Sequence, residues 1–170
     1  MLEKGKPIYG KLIKGLWRDI GRPQDLLSAS LDVVRRSGGK VSLPGVRMSG
    51  PVMIGKNTII EKGVRIVGPA YIGNDSYVSR GSVIERSCLY DSVFVDRGTV
   101  VRDSIVLGGS RISWQSEVDS SVVSQGCNIE EDVKILRSVI GDNMGVKIHS
   151  RLVDANISPP NGGGAYVGTV

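Results

Sequence analysis

His149 is the only histidine in the 170 residues, so it is the one imidazole able to work as a general base near neutral pH. A single histidine cannot supply a three-histidine zinc site. By its spacing His149 falls at an exposed turn, where a surface role is the plainer expectation. Four serines, Ser87, Ser104, Ser121 and Ser138, recur every 17 residues. No acid–base partner recurs with them, so a nucleophile is not indicated. Inward-facing hydroxyls bonded to backbone at tight corners explain them better. Cys88 and Cys127 stand far apart and outside any metal-binding spacing, which suits a reduced thiol pair in the cytoplasm.

The elements that must position these residues follow from one apolar column. Met48, Ile54, Ile60, Ile66, Ile72, Val78 and Ile84 are six residues apart. From Ile84 the steps become five, six and six, through Leu89, Val95, Val101, Val106, Ile112 and Val118 to Ile157. The unit is therefore 18 residues before Ile84 and 17 after it, with three short strands in each. A second column of small residues lies two positions earlier, and Met144 is its one bulky member. In a strand, residues i and i−2 share a face, so both columns point inward. A repeat this short predicts a three-sided parallel β solenoid.

The pattern, with pieces such as IGKNTI, IGNDSY, VDRGTV and VIGDNM, resembles the hexapeptide-repeat proteins. The resemblance implies a left-handed parallel β-helix, an all-β fold here preceded by a short hairpin and one α-helix. It leaves function open, because that fold hosts acyltransferases, carbonic anhydrases and sugar-nucleotide enzymes. An acyltransferase of this kind would use His149 as its base. It would also carry a loop thrown out of the coil, and the spacing from Ile84 to Ile157 never skips.

Composition agrees. Hydrophobic residues make up 40% and aromatics 5%, with a single Phe, as a thin Ile/Val core requires. No stretch approaches the ~20 apolar residues of a membrane span. Net charge is +5, but residues 1–47 carry +6 and the remainder −1. A solvated surface accounts for the basic start, since no nucleic-acid motif accompanies it. Ile8, Leu12, Ile13, Leu16, Trp17 and Ile20, around Lys14-Gly15, predict a hairpin over 7–20. Pro23, Asp25 and the closing Arg35-Arg36 predict a helix over 23–36, with a Leu27/Leu31/Val34 stripe. Residues 158–170 (SPPNGGGAYVGTV) read as a tail or capping loop.

The run KGKPIYGKLIKGLWRDIGRPQDLLSAS is similar to the end of the catalytic domain in sugar-1-phosphate nucleotidyltransferases, such as mannose-1-phosphate guanylyltransferases and glucose-1-phosphate thymidylyltransferases. Trp17, Asp19, Gly21 and Pro23 carry the match. The resemblance implies three segments: 1–40 as a remnant of that domain, 41–157 as the β-helix and 158–170 as the tail. It also implies that Asp19 is one of two carboxylates holding Mg²⁺ in the intact enzyme. The family's Gly-rich phosphate loop, which follows its first strand, has no counterpart: Gly108-Gly109 lies inside a coil, and Asn161 to Gly164 near the C-terminus. The chain alone is thus expected to be inactive and to need no cofactor. Its expected role is an oligomerisation or regulatory domain in nucleotide-sugar biosynthesis, meeting sugar phosphate or nucleotide only through a catalytic domain. A free-standing acyltransferase and a pure scaffold are the alternatives.

Outward positions suggest the assembly. Met53, Tyr71, Cys88, Ile105, Val122 and Val139 form one apolar strip, widened by Tyr90 and Leu107. Such a strip marks a subunit interface, unless the helix over 23–36 or the tail folds back to cover it. The resemblance suggests a trimer, then a dimer. No nucleic-acid or membrane partner is indicated.

Overall fold

In a computed structural model, residues 9–12, 14–15, 17–39, 41–159 and 165–168 are described. Helix α1 (Pro23–Ser37) precedes a succession of two- and three-residue strands. They stack as three seven-stranded parallel sheets, one along each side of a triangular coil.

The first sheet runs β1 (Arg47–Ser49), β4 (Arg65–Val67), β7 (Val83–Glu85), β10 (Val100–Arg102), β13 (Glu117–Asp119), β16 (Lys134–Leu136) and β19 (Arg151–Val153). The second runs β2 (Val52–Ile54), β5 (Ala70–Ile72), β8 (Cys88–Leu89), β11 (Ile105–Val106), β14 (Val122–Val123), β17 (Val139–Ile140) and β20 (Asn156–Ile157). The third runs β3 (Ile59–Ile60), β6 (Tyr77–Val78), β9 (Phe94–Val95), β12 (Arg111–Ile112), β15 (Asn128–Ile129), β18 (Gly145–Val146) and β21 (Tyr166–Val167). This is the three-sided parallel β-helix that the repeat predicts, with about seven turns.

The register bears out the repeat. Arg65 pairs with Val83, 18 residues on, and Val83 with Val100, 17 on. The lost residue comes from one corner. Gly50-Pro51 and Gly68-Pro69 turn the two early coils, and single left-handed residues such as Arg86 (φ 45°) and Asp103 (φ 44°) turn the later ones. The two inward columns form the core: Ile66, Ile72, Ile84, Val101, Ile112 and Ile129 are wholly buried, and Met144 fills its corner at 1% exposure.

The serine column is a backbone-bonding ladder. Ser104, Ser121, Ser138 and Ala155 donate their amides to the hydroxyls of Ser87, Ser104, Ser121 and Ser138, at 2.9–3.1 Å. Ser87 in turn donates to the Glu85 carbonyl at 2.7 Å. Each hydroxyl thus satisfies buried backbone groups at a narrow corner, and no side-chain base stands beside it among the described residues.

Helix α1 is one residue longer than expected. Its start is held by the Arg22 amide donating to Asp25 Oδ2 at 3.0 Å. The hairpin expected over 7–20 falls partly outside the described residues, Ile8, Ile13 and Leu16 among them, and the described residues there hold no strand. Tyr9 and Leu12 are 89% and 86% exposed. Arg18 instead ties the segment to α1, donating to Ser28 at 2.9 Å and pairing with Asp32.

In the tail, Tyr166–Val167 adds a strand to the third sheet beside β18. The Tyr166 ring lies across Gly145, where any Cβ would collide with it. Val167 packs against the core at the C-terminal end. Asn161 to Gly164 lie outside the described residues.

Candidate functional site

The second sheet carries the outward apolar strip, and α1 lies along it. The helix is about 22 Å long and coils stack about 4.8 Å apart, so it spans four to five of them. Its C-terminal end meets β2, where Gly39 bridges to Val52. Its N-terminal end reaches the later coils, where Gln24 and Leu27 close a cavity of about 30 Å³ over Ile105, Val122 and Val139. Leu31 and Val34 are 5% and 2% exposed. Ser30 Oγ lies 3.4 Å from the Tyr90 hydroxyl, and the Tyr90 ring meets Tyr71 edge-on at 6.0 Å.

This corrects the expectation of a free strip. Cys88 and Ile105 point outward by strand alternation, yet both are wholly buried in the single chain. Met53, Tyr71, Tyr90, Leu107, Val122 and Val139 are half-buried. Leu27, Leu31 and Val34 find on this strip the apolar partner that a solvent-facing helix lacks. Burial pushes the Cys88 thiol up to about 11, and burial also raises the Tyr71 phenol.

His149 sits where its spacing put it. It occupies the left-handed position of a turn (φ 62°), and its side chain is 69% exposed. Nδ1 lies 3.0 Å from Asp132 Oδ2, one coil below. Sequence reasoning missed this pair, although the 17-residue interval between the two turns already implied it. The nearest depression, about 310 Å³, is lined by Ser113, Glu130, Glu131 and Ile148 rather than by His149.

Asp19 is exposed and forms no ion pair among the described residues. No group of three or more His, Cys, Asp or Glu that could hold a metal occurs among them either. Mg²⁺ needs several oxygens in octahedral array, and one free carboxylate does not meet that need. The residues present therefore do not fit the ion that the resemblance implies for Asp19.

The other two outer faces turn from mixed to polar along the coil, and they are organised. On the first sheet, Arg102 pairs with Glu117 at 3.0 Å, and Glu85 pairs with Arg86. At the corner beyond, Arg86 forks onto Asp103 at 2.6 and 2.7 Å, and Arg137 onto Asp154 at 2.7 and 2.8 Å. On the third sheet, Tyr77 and Phe94 stack at 5.4 Å, and the Arg111 guanidinium covers Phe94 at 4.0 Å.

A seven-turn, three-sided parallel β-helix with a helix packed on one side defines the class of protein. Residues 66–161 match the family model described as the GMPPB C-terminal domain. The chain belongs to this family, the C-terminal β-helix of sugar nucleotidyltransferases.

No curated protein matches the chain. Among solved structures, a mutant of perosamine N-acetyltransferase from Caulobacter crescentus, in complex with CoA and GDP-perosamine, is 16% identical with a TM-score of 0.44. The alignment covers 66% of this chain and 48% of that one. The acetyltransferase domain of PglB from Neisseria gonorrhoeae is 14% identical, with a TM-score of 0.33 and coverages of 68% and 52%. UDP-N-acetylglucosamine acyltransferase from Campylobacter jejuni is 10% identical, with a TM-score of 0.35 and coverages of 68% and 64%. This chain spans about half the length of the first of these. Likeness of this extent does not reach to activity.

Among the described residues, no helix is long and apolar enough to cross a membrane.

Proposed function

We propose that the chain serves as the assembly and regulatory β-helix of a sugar-1-phosphate nucleotidyltransferase and is not itself a catalyst. The observation that carries this reading is the family match over residues 66–161. The Trp17, Asp19, Gly21 and Pro23 signature leading into α1 supports it. In this reading Mg²⁺ and the sugar phosphate belong to catalytic residues outside the described surface. The buried, unpaired Cys88 and Cys127 suit a reducing compartment, and we place the protein in the cytoplasm. Copies associate through what α1 leaves half-exposed on the second sheet, drawn from Met53, Tyr71, Tyr90, Leu107, Val122 and Val139, as a trimer or, next, a dimer.

The test has two parts. Light scattering should give an oligomeric mass for the chain that falls on Val122→Lys with Val139→Lys, because each buries an unpaired charge. A monomeric wild type counts against assembly. Incubation with sugar 1-phosphates, nucleoside triphosphates and Mg²⁺ should release no pyrophosphate above a buffer blank.

A second reading, acyl transfer, is favoured by one observation. Asp132 against His149 Nδ1 would leave Nε2 free to act as a base. Release of free CoA from acetyl-CoA with an amino-sugar acceptor, lost on His149→Ala, would support it. No release at all would remove it.

A further inference from the structure

One corner of the coil carries a column of cations that no described carboxylate pairs with. The turns leading from the third sheet to the first place Lys62, Arg80 and Arg97 at equivalent positions of three successive coils, followed by Trp114. The Gly98 amide donates to the Arg80 carbonyl, which stacks the Arg97 turn on the Arg80 turn, and the Arg80 amide donates to Glu61 Oε2, which ties that turn to the one holding Lys62. Coils are about 4.8 Å apart, so three like charges stand in a column, which is unfavourable by itself.

The adjoining corner, between the first and second sheets, shows what the same fold does when charge serves stability alone. There each arginine faces a carboxylate on the next coil, Arg86 on Asp103 and Arg137 on Asp154. At the Lys62 corner no such alternation occurs, and Lys62, Arg80 and Arg97 form no ion pair among the described residues.

Two acids do lie nearby, and both are engaged from within. Glu61 accepts the Tyr77 hydroxyl at 2.5 Å and the Arg80 amide at 2.7 Å. Asp96 accepts the Arg97 amide at 2.7 Å and has Arg111 at 3.9 Å. Both line the cleft and brace its turns; the Tyr77 hydroxyl first, then the Arg80 amide and charge, hold the Glu61 carboxyl low, and neither acid comes within ion-pair distance of Lys62, Arg80 or Arg97.

The shape also fits a ligand. Beside the cations run Gly63, Gly81 and Gly98, which put no side chain into the channel. A cleft of about 230 Å³ opens there, lined by Glu61, Ser79, Arg80, Asp96 and Arg97. Arg97, one of its lining residues, lies 5.3 Å above the half-buried Trp114 ring of the next coil. A row of cations ending on an aromatic plane suits a chain of phosphates ending in a ring.

We propose that this corner binds the diphosphate group of a small phosphorylated ligand of the nucleoside diphosphate kind. The phosphates lie along Lys62, Arg80 and Arg97, and the ring lies towards Trp114. The proposal does not rest on the assembly role assigned above.

The experiment is isothermal titration of the full chain at low salt with two probes, inorganic pyrophosphate and GDP. Saturable binding that weakens as salt rises is expected for both. Arg80→Ala with Arg97→Ala should weaken it by about tenfold or more, as loss of charge-assisted hydrogen bonds does. Arg137→Ala, at the ion-paired corner, should leave it unchanged. Thermal melts check that the variants fold, and Arg80→Gln with Arg97→Gln repeats the test with longer side chains. Fluorescence of Trp114, read in a Trp17→Phe background, separates the ligand sources. Quenching by GDP alone supports a nucleotide, and equal affinity without quenching supports free pyrophosphate at the same cations. The proposal is overturned if neither probe binds saturably, if the double variants bind like wild type, or if Arg137→Ala weakens binding as much.

Discussion

Ser30 on α1 and Tyr90 on the coil stand 60 residues apart in sequence and bring their hydroxyl oxygens within 3.4 Å. That contact marks the centre of a helix that covers the chain's own apolar strip. Ile105, the middle of the strip, therefore belongs to an internal contact. Ile105→Glu is expected to release α1 before it alters any subunit contact. Leu31→Ala should do the same more gently, at about 2–5 kcal/mol for a buried leucine. Hydrogen exchange confined to residues 23–37 checks both. Exchange that stays slow there in Ile105→Glu would show that the helix does not depend on the strip.

The same cover should respond to alkali. The Cys88 thiol titrates near 11 when folded, above its ordinary value of 9.0, because it is buried, and the Tyr71 phenol is raised for the same reason. A raised pKa means that the docked state holds its proton longer than the undocked one. Docking is thus at full strength below about pH 9 and weakens progressively as pH rises towards 11. Alkylation of Cys88 should be negligible at neutral pH and should accelerate sharply above about pH 9. In a Cys88→Ala variant the alkaline loss of α1 protection should shrink.

The serine ladder predicts a graded series. Ser104→Ala leaves the Ser121 amide without its acceptor and should cost about 1–3 kcal/mol. Ser120, exposed on the neighbouring turn, should tolerate alanine within about 0.5 kcal/mol. Chemical denaturation of the two variants makes the comparison. Equal costs would mean that the buried hydroxyls contribute nothing specific.

His149 offers a backbone test. Its exposed side chain predicts that His149→Ala changes stability by less than about 0.5 kcal/mol. Its φ of 62° predicts that His149→Gly is neutral or stabilising, and that His149→Val is worse than either. Melting temperatures in that order would confirm a turn residue. A large loss with alanine would assign the Asp132 pair a structural role.

Arg137 and Asp154 supply a test at acid pH. The Arg137 hydrogen bond holds the Asp154 carboxyl below its ordinary 3.8. The contribution is present above that value and is lost as pH falls through the lower folded one. The melting difference between wild type and Asp154→Asn should therefore be small, visible near neutral pH at low salt, and absent in strong acid.

Residue types and spacing alone determined the coil. The column from Met48 to Ile157 repeats at a period that only a three-strand turn satisfies, and the step from 18 to 17 residues is visible in the letters before any pairing is known. The bounds of α1 within one residue, the turn position of His149 and the inward serines follow from the same local rules. Those rules depend on neighbours a few residues away, or on one fixed interval.

What the letters could not decide concerns surfaces that meet from different elements. The strip through Cys88 and Ile105 is equally suited to a second subunit and to the chain's own helix, and only the tertiary structure, with Gly39 bridged to Val52, brings α1 onto it. Leu12 and Ile20 belong to the apolar pattern expected of a hairpin, yet both are exposed. Arg86 and Arg80 are both exposed turn arginines. One finds Asp103 on the next coil and the other finds Arg97, because side-chain electrostatics is set by what stacks above and below, one full turn of the coil away.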